Sequence, residues 1–85
     1  MIQISHEIKS EHGIHARPAG VLVKMVSGYE SSVIVKTGGK QANANKLFAI
    51  MGLCAQMGDV LDITIEGADE EKAAAGLKEF LENNL

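Results

Sequence analysis

Two stretches of strict apolar–polar alternation, near opposite ends of the chain, limit the folds open to it. Ile2, Ile4, His6 and Ile8 alternate with Gln3, Ser5, Glu7 and Lys9, and Leu61, Ile63 and Ile65 take every second position from Val60 to Glu66. Successive side chains of a strand point to opposite faces, so each stretch reads as a strand with one apolar and one polar side. A sheet of such strands needs cover on one face only and leaves the other to solvent. Between them, Ser31 to Lys36 is centred on the β-branched run Val33-Ile34-Val35 and reads as a strand. Thr37-Gly38-Gly39-Lys40 is a turn that folds Gln41 to Ala44 back as its hairpin partner.

Three helical segments supply the cover. The first contains Pro18, the only proline, has Ala19, Leu22, Val23 and Val26 on one face, and stops at Ser27-Gly28. The second is expected from Lys46 to Met57, capped by Asn43 or Asn45 and ended by Gly58. It is apolar almost all round: Leu47, Ile50, Cys54 and Met57 share one stripe, and Phe48, Met51 and Ala55 another. A helix on one sheet face buries only one of these stripes, so the other is expected to stay exposed as a docking surface. The third begins at an Asp69 cap, with Ala73, Leu77, Phe80 and Leu81 inward and Glu70, Lys72, Lys78 and Glu82 outward. Strand, helix, two strands, helix, strand, helix makes an α+β two-layer, open-faced sandwich with three helices on one face of an antiparallel sheet. The 85 residues form one domain, 1–85, without repeats or linkers.

Charge and composition exclude several functions. The net charge is −3, there is no tryptophan, and Tyr29, Phe48 and Phe80 are scattered, so no nucleic-acid interface is expected. No apolar run reaches membrane-spanning length and the N-terminal residues lack a secretion pattern, so no membrane insertion and a cytoplasmic location are expected. The single Cys54 cannot form an internal disulfide and is expected to be a buried small hydrophobe. Two histidines at the H-x-x-H spacing of His12 and His15 make a weak metal site, so neither a metal nor another cofactor is expected.

The chemistry concentrates in Gly13-Ile14-His15-Ala16-Arg17-Pro18-Ala19. Proline suits the first turn of a helix, which places His15 at or next to the N-cap. The free backbone N–H groups of Ala16 and Arg17 then point out of a helix end that attracts anions. Arg17 adds a planar, permanently charged fork suited to phosphate oxygens. Imidazole can carry a transferable group covalently, and the positive helix end disfavours imidazolium and leaves a nitrogen free to attack.

This run resembles the active-site signature of the HPr family, the phosphocarriers of the bacterial phosphoenolpyruvate-dependent sugar phosphotransferase system. The resemblance extends over essentially the whole chain, through Gly39-Lys40, the apolar second helix, Gly58, the strand Leu61 to Ile65 and Gly67-Ala68-Asp69-Glu70. It implies a four-stranded sheet of order 1-4-2-3, phosphorylation of His15 on Nδ1, and Arg17 as the phosphate partner. It also implies a stoichiometric carrier that takes the phosphoryl group from enzyme I and gives it to the IIA components of sugar transporters. Gly20, Val21, Lys24, Leu47, Phe48 and Met51 would form the docking surface, with Lys24 and Lys46 steering acidic partners, and the protein is expected to act as a monomer. The family's regulatory serine would fall at Lys46, so control by a serine kinase at that site is not expected. The alternative within the family is a carrier of the nitrogen-related branch, which signals to regulators instead of feeding sugar uptake.

Overall fold

The two alternating segments pair with each other. In the computed structural model, which describes residues 1–85, they form β1 (Ile2–Glu7) and β4 (Val60–Glu66), antiparallel, with Ile2 opposite Ile65, Ile4 opposite Ile63 and His6 opposite Leu61. β2 (Ser32–Thr37) adds to the other edge of β4 through Val33–Ile65 and Val35–Ile63, and β3 (Lys40–Asn43) adds to β2 through Val35–Ala42. The sheet order is therefore β1-β4-β2-β3, all antiparallel. Ile4, Ile63, Val35 and Ala42 make one continuous buried row across it. The neighbouring row on the opposite face is polar: Ser5, Asp62, Lys36 and Gln41, with the Ser5 hydroxyl donating to the Asp62 carboxylate at 2.7 Å. The β2–β3 turn uses Gly38 and Gly39 at φ 55° and 80°, the conformation a two-residue hairpin of matching twist requires.

The helices α1 (Ala16–Ser27), α2 (Leu47–Met51) and α3 (Glu70–Asn84) cover the buried face. α3 packs on β1 and β4, α2 on β3, and α1 on both other helices. Leu22 and Val26 of α1, Ile50 of α2, and Leu77 and Leu81 of α3 meet the sheet residues in one core of 21 buried side chains. Each fully buried leucine or isoleucine there contributes about 2 kcal/mol relative to exposure.

Four expectations require correction. α2 stops at Met51 with Gly52 as its cap, far short of Gly58. Hydrogen bonding tightens after Gly52: Leu53 donates to Ile50 and Cys54 to Met51, and Cys54 adopts φ 52°. Leu53 and Ala55 are both buried although they lie two residues apart, a spacing that no single helix face accommodates. The chain leaves the helix because the Ala55 carbonyl accepts the Ile14 N–H and the Gly58 N–H reaches the Ile8 carbonyl; these tertiary bonds override helix propensity. Cys54 is consequently exposed, not buried.

Neither Asn43 nor Asn45 caps α2; Lys46 holds the N-cap position, and the Asn43 side chain instead accepts the Asn45 N–H in a local turn. Asp69 does occupy the N-cap of α3, but its carboxylate makes no capping bond. It reaches across to the β2 approach and accepts the N–H groups of Glu30 and Ser31, each at 2.9 Å, together with the Ser31 hydroxyl. These donors hold the Asp69 carboxyl below its ordinary range, the Ser31 hydroxyl contributing most.

Candidate functional site

The site is built on the loop between β1 and α1. Lys9 and Ser10 both donate to the Leu85 carbonyl, and the Gly13 N–H closes a turn on the Ser10 carbonyl at 3.1 Å. Gly13 then lies flat against the 55–56 backbone. Its φ is 62°, and a Cβ there would stand 2.3 Å from the Ala55 carbonyl oxygen, so no residue with a side chain fits without moving backbone. The Ile14 N–H completes the anchorage on Ala55 at 3.0 Å.

His15 follows as the N-cap of α1, extended at φ −130°, with its carbonyl accepting the first helical bond from Ala19. Its ring makes no capping hydrogen bond and stands exposed. The N–H groups of Ala16 and Arg17 donate to no group in the chain, and Pro18 has none to donate. The free donors of this helix end thus come down to two adjacent amides directly after the imidazole. No acidic residue occupies the first turn of α1, and the exposed Arg17 guanidinium enters no ion pair, the single pair in the chain being Met1 with Glu70 at 2.6 Å. The dipole of this 12-residue helix and the guanidinium therefore act together on any anion placed there. The arrangement joins an accessible nucleophile to a seat for a tetrahedral dianion.

Of the stripe expected at the surface, Phe48 and Met51 are exposed but Ala55 is buried, while Cys54 and Met57 of the opposite stripe are exposed, because the chain leaves the helix after Met51. Phe48 is 85% exposed, Val21 50% and Met51 37%. Gly20, Val21 and Lys24 follow an i, i+1, i+4 pattern on α1, and Leu47, Phe48 and Met51 repeat it on α2, the helix packed against α1. Lys24 is exposed, Gly20 half-buried, and Leu47 packs partly onto the core. A Cβ at Gly20 would meet nothing within 4 Å, so internal packing does not demand a glycine. His12, which the sequence offers only as the partner in an incidental H-x-x-H spacing, stands edge to face with the His15 ring, centroids 5.6 Å apart and planes at 78°. The H-x-x-H spacing was the available signal, but the contact depends on the Ser10–Gly13 turn.

Comparison with known proteins agrees with this geometry. The family model for the PTS HPr component phosphorylation site matches residues 2–83. The phosphocarrier protein HPr of Xylella fastidiosa is 34% identical over 84 residues, covering 96% of this chain and 94% of that protein. The crystal structure of HPr from Thermoanaerobacter tengcongensis superposes with a TM-score of 0.90 at 36% identity, covering 96% of this chain and 92% of the other. A structure of an HPr dimer from the same organism superposes with a TM-score of 0.76, also at 36% identity, covering 98% and 95%. No helix of the chain is long and apolar enough to cross a membrane.

Proposed function

The chain belongs to the HPr family, whose members are phosphocarriers of the phosphotransferase system and not catalysts, and we propose on this footing that His15 takes a phosphoryl group from phospho-enzyme I and delivers it to IIA proteins of sugar transporters. The Nδ1 lone pair attacks phosphorus, the bond from phosphorus to the donor breaks with its electron pair leaving on the donor, and the proton on Nε2 stays in place. Transfer to the next acceptor is the same step in reverse. Phosphoryl transfer asks mainly for positioning and charge stabilisation. Arg17 and the Ala16 and Arg17 amides provide both.

The observation that carries this reading is the pair of unclaimed amides beside an exposed imidazole at the N-cap. One guanidinium and two amides hold a phosphate without trapping it, as a carrier requires. Gly20, Val21, Lys24, Leu47, Phe48 and Met51 form the docking surface for both partners. Gly20 supports this: glycine in a helix interior costs about 1 kcal/mol relative to alanine, and a cost that internal packing does not require fits the close approach of a partner backbone. Lys24 and Lys46 steer acidic partners to it. The protein works as a cytoplasmic monomer, its core being complete within one chain.

Incubation with enzyme I and phosphoenolpyruvate should load one acid-labile phosphate per chain and none on His15→Ala. A His15→Ala variant that still accepts phosphate refutes the reading. Lys46 at the N-cap of α2 keeps the nitrogen-branch alternative in view. Restoration of sugar uptake in a strain lacking HPr separates the two: a phosphorylatable protein that fails to restore uptake favours the regulatory role.

A further inference from the structure

His12 lies in a turn whose backbone is anchored beside His15. The turn that carries it is closed by the Gly13 N–H on Ser10, tied at its start to Leu85, and pinned at its end where Ile14 bonds Ala55. Gly13 packs so closely on the 55–56 backbone that a Cβ there would stand 2.3 Å from the Ala55 carbonyl oxygen. Two imidazoles are therefore presented together at a helix end, 5.6 Å between centroids and 78° between planes.

We propose that His12 is a second side-chain ligand of the phosphoryl group, donating a ring N–H to an oxygen of the phosphate carried by His15. The inference rests on the phosphocarrier reading above. A tetrahedral group bonded to a nitrogen of His15 projects three oxygens beyond the edge of that ring. Arg17 and the two free amides approach from the helix side. With its centroid 5.6 Å from that of His15, the His12 ring is near enough to take the oxygen turned away from the helix. Imidazole supplies one N–H when neutral and two when charged, so it donates in either state.

The consequence concerns how tightly the carrier holds its cargo. In the loose transition state of phosphoryl transfer the phosphorus–nitrogen bond is largely broken and its electron pair has returned to the ring. The phosphoryl oxygens then carry less charge than in the dianion. A donor to those oxygens is thus stronger in the ground state and slows loss of the group, whether to water or to an acceptor. His12 tunes this chain toward a longer-lived phosphorylated form than Arg17 and the amides alone would give.

The test compares the full-length protein with His12→Ala, His12→Lys and His15→Ala, each loaded by enzyme I and phosphoenolpyruvate and each checked for an unchanged melting temperature. The wild type should carry one phosphate per chain, and loss of that phosphate to water should be about threefold to tenfold faster in His12→Ala, the range expected for one ordinary hydrogen bond lost at an exposed site. His12→Lys, which restores a donor, should recover part of the difference. Nitrogen-15 NMR of the wild type should show the His12 ring resonances shifting on phosphorylation, with one ring N–H protected from exchange with water as a donated hydrogen bond requires. Loading of the wild type with equal lifetimes in wild type and His12→Ala overturns the proposal while leaving the phosphocarrier reading intact, as do His12 resonances that stay in place. Phosphate found on His12 in His15→Ala also overturns it, since His12 would then be an acceptor. No phosphate on the wild type overturns both readings.

Discussion

Adding one methyl group at Gly13 tests whether the 53–59 segment holds the site in place. In Gly13→Ala the new Cβ would lie 2.3 Å from the Ala55 carbonyl oxygen and 2.8 Å from the Gln56 Cα. Both obstacles are backbone, not the end of a flexible side chain, so the loop must lift. Holding alanine at φ 62° costs about 1–2 kcal/mol, and losing the Ile14–Ala55 hydrogen bond costs about 1 kcal/mol more. The sum is about 2–3 kcal/mol. For a domain of this size each kcal/mol moves the melting temperature by about 4–8 °C, so a fall of about 10–20 °C is expected by calorimetry, with a matching drop in urea midpoint. Initial rates of phosphorylation by enzyme I should fall as well, because His15 is two residues from the displaced backbone. Gly20→Ala is the control of opposite sign: its Cβ meets open space, and replacing a helical glycine stabilises by about 0.5–1 kcal/mol. A Gly13→Ala protein within about 0.5 kcal/mol of wild type, the usual range for neutral surface changes, would refute the claim that this contact is rigid.

The Asp69 carboxylate gives an acid limb to the stability curve. Its folded-state pKa is depressed by the Ser31 hydroxyl and the Glu30 and Ser31 amides, so its contribution is present above the unfolded value of about 3.9 and fades as pH falls through the lower folded value. Asp69→Asn should be less stable than wild type at neutral pH and should lose less on acidification below about pH 4, read by urea denaturation at stepped pH; parallel curves for the two proteins would contradict the assignment. Phe48→Ala should leave stability within about 0.5 kcal/mol of wild type, since this ring is 85% exposed. The same change should raise the KM for transfer from enzyme I by about tenfold or more, the cost of truncating an aromatic anchor at an interface; a KM equal to that of the wild type would remove Phe48 from the docking surface.

What could be read before any coordinates was what neighbouring residues decide among themselves. The alternation of β1 and β4 is a period of two along a single segment, and the structure keeps Ile4, Leu61, Ile63 and Ile65 on its buried face. Pro18 and the residues around it determine a helix start locally, so His15 at the N-cap followed by two free amides was legible. The faces of α3 were legible for the same reason, and Ala73, Leu77, Phe80 and Leu81 are all buried. The strand order came from family resemblance, because pairing between distant strands leaves no local trace.

Tertiary contact decided the rest. Within Lys46 to Met57 only Gly52 hints locally that the helix ends at Met51; what fixes the end there is an Ala55 carbonyl claimed by Ile14, 41 residues earlier in the chain. Asp69 looked like a helix cap, but its carboxylate accepts from Glu30 and Ser31 just ahead of β2 instead of from its own helix end. His12 appeared to be an incidental second histidine until the turn that ends at Gly13 set it against His15. A sequence records each residue's intrinsic preferences. Which preference prevails depends on hydrogen-bond partners and packing surfaces that are distant along the chain and become neighbours only once the fold has formed.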